Sequence, residues 1–102
     1  MRVISLNLNG IRSAASKGVF PWLATQQADF VCVQELKAQE ADLTPAMRQP
    51  EGLSGQFHAA EKKGYSGVGV YSRVPPDAVI AGLGIADIDA EGPYLEVQVG
   101  NL

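Results

Sequence analysis

Hydrophobic and polar residues alternate over residues 2–8, with Ile4, Leu6 and Leu8 on one side and Val3, Ser5 and Asn7 on the other. A period of two predicts a strand, and Asn9-Gly10 ends it. From Ile11 to Lys17 the alternation stops and alanine and serine prevail, which predicts a short helix before Gly18. Phe20-Pro21-Trp22-Leu23-Ala24-Thr25 predicts a second helix, with Pro21 near its first position and Phe20, Leu23 and Ala24 on one face. Asp29–Glu35 holds a continuous apolar run closing on Gln34-Glu35, the pattern of a strand buried on both faces. Strand, helix, strand predicts a right-handed βαβ unit with parallel strands. Asn7 and Glu35 then share the C-terminal edge of the sheet, where open α/β sheets place ligands.

Residues 38–55 are polar and contain Pro45, Pro50, Gly52 and Gly55, so they read mostly as connection, with a short helix around Leu43–Met47. Gln56–Ala60 predicts a strand, Glu61–Gly64 a turn and Ser66–Arg73 another strand, together an antiparallel hairpin. Ala78–Ile85 predicts a further strand, Asp89–Pro93 a turn, and Tyr94–Val99 a strand with Leu95, Val97 and Val99 on one face. The expected fold class is α/β with mixed sheets of at least five strands.

Composition narrows the class. With 102 residues, 46% hydrophobic and 19% charged, the chain suits one domain with a core. No apolar run reaches the roughly 20 residues of a membrane span, so no membrane partner is expected. Cys32 is the one cysteine, which excludes an internal disulfide and a Cys-rich zinc site and points to a reducing, cytoplasmic setting. A net charge of −3 argues against indiscriminate coating of nucleic acid, while leaving room for a local basic site.

Several residues carry chemistry. A carboxylate such as Glu35 at the end of a buried strand needs a cation, donors or solvent; a hard divalent ion would suit it, and so would a salt bridge. The Asn7 amide has the donor and acceptor to meet a phosphate oxygen or a bound water, or else to cap the turn that follows. Asn9 shapes that turn with Gly10. Arg12, Lys17 and Lys37 are cations suited to phosphate, or to ordinary surface solvation. Gly64-Tyr65-Ser66-Gly67 offers backbone N–H groups to a phosphate, or lets two sheets approach closely. The Gly-x-Gly at 67–69 is no dinucleotide fingerprint, because no helix follows it. His58 and Cys32 read as packing residues, and Trp22 as core or rim of the helix–sheet contact.

Three segments, Asn7-Leu8-Asn9-Gly10-Ile11-Arg12, Val33-Gln34-Glu35-Leu36-Lys37 and Gly64 to Arg73 (GYSGVGVYSR), occur in this order. They resemble successive motifs of the exodeoxyribonuclease III type of apurinic/apyrimidinic DNA endonuclease, within the exonuclease–endonuclease–phosphatase superfamily. The resemblance implies a four-layer α/β/β/α sandwich of which residues 1–102 form an incomplete, N-terminal portion. It implies Glu35 and Asn7 as catalytic and metal-binding residues, with Mg²⁺ as cofactor and Mn²⁺ as a substitute. It implies that Asn9, Arg12, Lys37, Tyr65 and Ser66 meet double-stranded DNA at abasic sites or 3′ ends. The reaction implied is phosphodiester hydrolysis leaving a 3′-hydroxyl. The later motifs of that family (a phosphate-binding tyrosine, Gly-Asp-x-Asn and Ser-Asp-His) do not occur here, and Pro93 stands where relatives carry arginine. The isolated chain is therefore expected to cleave little, and to self-associate or dock a C-terminal fragment over exposed sheet. The alternatives are a non-catalytic DNA-binding module and a phosphatase-type relative acting on small phosphoesters.

Overall fold

The computed structural model describes residues 1–62, 64–82, 84–85 and 94–100. Its elements, in chain order, are β1 (Val3–Asn7), α1 (Ile11–Ser16), α2 (Val19–Ala24), β2 (Phe30–Gln34), a 3-10 turn (Glu40–Asp42), α3 (Pro45–Arg48), β3 (Ser54–His58), β4 (Val68–Ser72), β5 (Ala78–Ala81) and β6 (Leu95–Gln98).

Strands β1 to β4 form one sheet in the order β1-β2-β4-β3. β1 and β2 are parallel, with Val3 opposite Phe30 and Asn7 opposite Gln34. β4 runs antiparallel to both β2 and β3. The expected βαβ unit and hairpin are both present. β5 and β6 pair antiparallel as a second, two-stranded sheet. The class is mixed α/β.

Alternation decides what each face does. Ile4, Leu6, Val31, Val33, Phe57 and Tyr71 join Ile11 and Leu23 of the helices in the core, so α1 and α2 cover one face of the sheet. Tyr71 is fully buried, its ring edge-on to Phe20 and Phe57. Its hydroxyl donates to the Met47 carbonyl at 2.6 Å, which ties α3 to the sheet. Gly69 leaves room for the Phe57 ring: a Cβ there would lie 2.7 Å from Phe57 Cδ1. The opposite face carries Val3, Ser5, Cys32 and Val70, and the β5–β6 sheet packs over its β3–β4 side.

The structure revises several local expectations. β2 is buried on its helix side, but Phe30, Cys32 and Gln34 are only half-buried, because the second sheet reaches β4 rather than β2. α2 begins at Val19, which puts Pro21 in the third position, still within the first turn whose N–H groups lack helical partners. Leu23 is buried and Phe20 half-buried, but Ala24 is exposed and Trp22 lies at the rim. The connection contains one unexpected turn: the Gln39 side chain accepts from Asp42 N–H while Asp42 Oδ2 accepts from Gln39 N–H. α3 starts at Pro45 with Thr44 as its cap. β5 stops at Ala81, where Gly82 turns left-handed with φ 92°. The expected turn at 89–93, and Pro93 with it, lies outside the described residues. Among the described residues no helix is long and apolar enough to cross a membrane.

Candidate active site

Parallel pairing brings the C-terminal ends of β1 and β2 to one edge of the sheet, and β4 begins at that same edge. Here the backbone leaves strand geometry abruptly. Asn9, Glu35, Lys37 and Ser66 have φ of 47°, 53°, 52° and 49°, the left-handed region. Only Gln27 shares this among the other non-glycine residues described. Each such residue costs on the order of 1–2 kcal/mol and must be held by its surroundings.

The holding contacts are visible. The carbonyls of Glu35 and Leu36 accept from Gly10 N–H at 2.8 Å and Ile11 N–H at 2.9 Å. The Lys37 carbonyl accepts from Arg12 Nη2 at 3.1 Å. On the other side Leu36 N–H donates to the Gly67 carbonyl at 3.2 Å and Lys37 N–H to the Ser66 carbonyl at 2.8 Å. Leu36 itself is fully buried between these two loops. A left-handed residue on either side of a buried leucine turns Glu35 and Lys37 outward while Leu36 anchors them.

The side chains converge. Asn7 Nδ2 donates to Glu35 Oε2, and Asn7 Oδ1 accepts from Asn9 N–H at 2.9 Å. Lys37 Nζ donates to Asn9 Oδ1 at 2.6 Å and lies 3.7 Å from Glu35 Oε1. The side chains of Lys37 and Glu35 are 40% and 43% exposed, so the pair is open to solvent and to ligands. Glu35, Lys37, Tyr65 and Ser66 line a cleft of about 270 Å³. Asn7, Asn9, Lys17 and Trp22 border a second cleft of about 410 Å³.

The structure thus gathers all seven residues singled out from the sequence, Asn7, Asn9, Arg12, Glu35, Lys37, Tyr65 and Ser66, at one sheet edge. Arg12 uses a guanidinium nitrogen on the chain's own backbone, a role the sequence reading did not assign. Gln39 was passed over altogether. Its Nε2 donates to the Ala60 carbonyl at 2.8 Å and clips the loop that leads to Tyr65. No sequence pattern marks that clip, since Ala60 lies 21 residues further along the chain. His58 Nδ1 donates to the Tyr94 carbonyl at 2.9 Å and joins the two sheets. Burial raises the Cys32 thiol pKa, in keeping with a packing role.

The donor set suits a hard cation in part. Glu35 offers a carboxylate and Asn9 an amide oxygen toward one point, whereas the Asn7 oxygen is turned to its own loop. One carboxylate with solvent around it fits an ion that keeps most of its waters. No group of three or more His, Cys, Asp or Glu side chains converges among the described residues.

Residues 4–100 match the endonuclease/exonuclease/phosphatase family. The chain belongs to that family. It is 37% identical over 103 residues to an exodeoxyribonuclease of Bacillus subtilis, covering 100% of this chain and 40% of that protein. It is 33% identical over 98 residues to a DNA-(apurinic or apyrimidinic site) endonuclease of Dictyostelium discoideum, covering 96% of this chain and 27% of that one. The solved 3′ phosphatase NExo from Neisseria, bound to product DNA hairpin, superposes with a TM-score of 0.83 at 25% identity, over 100% of this chain and 38% of its own. The chain therefore spans well under half the length of these relatives. The matched stretch includes the sheet edge that carries Asn7 and Glu35.

Proposed function

We propose that this chain supplies part of the active site of a Mg²⁺-dependent DNA phosphodiesterase, acting at abasic sites and 3′ ends. The observation that carries this reading is the juxtaposition of the Asn7 amide with the Glu35 carboxylate at the shared end of two parallel strands. The names of the relatives support DNA as substrate.

In this reading Glu35 is the carboxylate that holds the cation, and Mn²⁺ substitutes for Mg²⁺. When bound, the cation neutralises charge on the scissile phosphate and steadies the departing oxygen. The chain's own residues do the rest of what is present here. Asn7 fixes the Glu35 carboxylate and keeps it aimed at the cleft. Lys37, with Tyr65 and Ser66 across the cleft, offers donors to a DNA phosphate. Asn9 sets the position of Lys37. Arg12, exposed beside this loop, has donors left over for the DNA backbone.

The test is a chimera. This chain replaces the stretch it matches in the Bacillus subtilis exodeoxyribonuclease, and a duplex with one abasic site is the substrate. Mg²⁺-dependent incision that Glu35→Gln abolishes is the expected result; incision unaffected by that change would sink the reading. The 102-residue chain alone is expected to cleave little, because losses within a cooperative catalytic set commonly exceed about 10⁴-fold. A relative named a 3′ phosphatase favours one second substrate of the same chemistry, a 3′-terminal phosphomonoester. That substrate belongs in the same assay.

The partner reading follows from the fold. β1 and β3 are both edge strands, and Val3, Val79 and Ile80 are 56%, 42% and 44% exposed. Exposed strand edges and apolar faces favour association. A second copy or a complementary C-terminal segment covers them in this reading, and light scattering showing a monomer with a sharp melt would count against it.

A further inference from the structure

We propose that the Lys37 ammonium occupies the cation position of the free chain, so that a divalent metal enters by displacing it. This rests on the reading of Glu35 as the cation ligand. Two oxygens from separate segments face one positive charge: Asn9 Oδ1 at 2.6 Å and Glu35 Oε1 at 3.7 Å from Lys37 Nζ. Carboxylate and amide oxygens are the ligand types that hard divalent cations take. An ammonium between them is therefore a stand-in for such an ion.

The backbone keeps it there. Lys37 is held left-handed at φ 52°. Its N–H is bonded to the Ser66 carbonyl and its carbonyl to Arg12. The side chain thus starts from a fixed point, and its ammonium reaches both Asn9 and Glu35. The occupant is also displaceable, since Lys37 and Glu35 side chains are 40% and 43% exposed. Exposed ion pairs are weak, and an ammonium brings one charge where the metal brings two. Lys37 also lines the cleft with Tyr65 and Ser66. Once displaced, its ammonium is free to pair with an anionic group in that cleft. Metal entry and phosphate binding are then linked through a single side chain.

The experiment titrates the full chain with Mn²⁺ alone and reads free Mn²⁺ by its electron paramagnetic resonance signal. Lys37→Met removes the charge. Lys37→Gly removes it at a residue that tolerates the left-handed backbone, and so covers a failure of the first variant to fold. Both are expected to bind Mn²⁺ at least about fivefold tighter than the natural chain, the factor that one unit charge at about 4 Å costs in water. Lys37→Arg keeps a cation and is expected to stay within about twofold of the natural chain. Arg2→Gln removes the same charge at the opposite end of β1 and is likewise expected to change little.

Equal or weaker binding by Lys37→Met and Lys37→Gly overturns the inference. If Glu35→Gln still lowers Mn²⁺ affinity in that case, the cation reading of Glu35 survives and only the competition falls. If Glu35→Gln changes nothing while Mn²⁺ binds, both readings fall. Absence of Mn²⁺ binding by every variant also overturns the inference, because there is then no cation site for Lys37 to fill.

Discussion

Arg12 and Lys37, twenty-five residues apart, are joined by a hydrogen bond from Arg12 Nη2 to the Lys37 carbonyl at 3.1 Å. It is the third of three successive contacts by which residues 10–12 hold the carbonyls of residues 35–37. Two of those carbonyls belong to left-handed residues that also face the cleft. Arg12→Ala is expected to cost about 0.5–1.5 kcal/mol. Amide exchange should speed up at Leu36 and Lys37 while β2 keeps its protection, and exchange unchanged at those two amides would show that the bond holds nothing.

The Asn7 amide spans Glu35 and the Asn9 backbone. Removing it in Asn7→Ala frees the carboxylate to rotate. In the chimera this is expected to lower incision about 10- to 100-fold, the usual loss when a residue orienting a metal ligand is removed. Asn7→Asp is expected to do worse at neutral pH, since two carboxylates in contact resist sharing ionisation. Its activity should recover toward higher pH, and a flat pH profile would contradict the contact.

Burial holds the Tyr71 hydroxyl pKa far above the usual tyrosine value. The unfolded chain releases that proton near pH 10. Because the native state then retains more protons than the unfolded one, stability is full below pH 10 and is lost as pH rises further. Tyr71→Phe is expected to cost about 1–3 kcal/mol at neutral pH, because the Met47 carbonyl loses its partner. It should also flatten the alkaline decline. Urea midpoints from pH 8 to 11 for both chains provide the check.

Gly69→Ala places a methyl 2.7 Å from Phe57 Cδ1 and 3.1 Å from Val33 Cγ2. Overpacking of this kind costs about 1–3 kcal/mol. Phe57→Leu in the same chain should return part of the loss, giving a coupling energy between the two sites. Strict additivity in a double-mutant cycle would mean that the ring is not what Gly69 accommodates.

Cys32 sits mid-strand on the second face, half-buried, with its thiol pKa raised by burial. The thiolate is the reactive form. Alkylation in the folded chain is expected to be slow at pH 7.5 and to rise sharply across the urea transition. Rapid labelling of the native chain would place that face in open solvent.

The helices and strands were legible wherever one face is buried, because burial forces a period of two or of about 3.6. β1, β4 and α2 follow that rule, whereas β2 was legible as a continuous apolar run and α1 as the loss of alternation after Gly10. Boundaries failed where backbone geometry rather than pattern ends an element. Gly82 stops β5 four residues before the apolar run at Ala78–Ile85 does. The double-sided burial expected of β2 failed because apolar side chains say that a strand prefers cover, not whether a neighbouring sheet reaches it.

For the site, strand ends were sufficient to place Asn7 and Glu35 side by side, since parallel pairing leaves little choice of edge, while the motif resemblance was needed to single them out as site residues. The sequence by itself also determined the α/β class and the side of β1 that faces the helices. Only the tertiary structure decided how the side chains are spent. It turned Arg12 toward a carbonyl, set Lys37 between Asn9 and Glu35, and made Gln39 a clip on the following loop. The pairs Arg12–Lys37, Lys37–Asn9 and Gln39–Ala60 lie 21 to 28 residues apart. They meet through left-handed backbone at Glu35 and Lys37, a conformation that neither residue type favours and that only contacts from two other loops sustain.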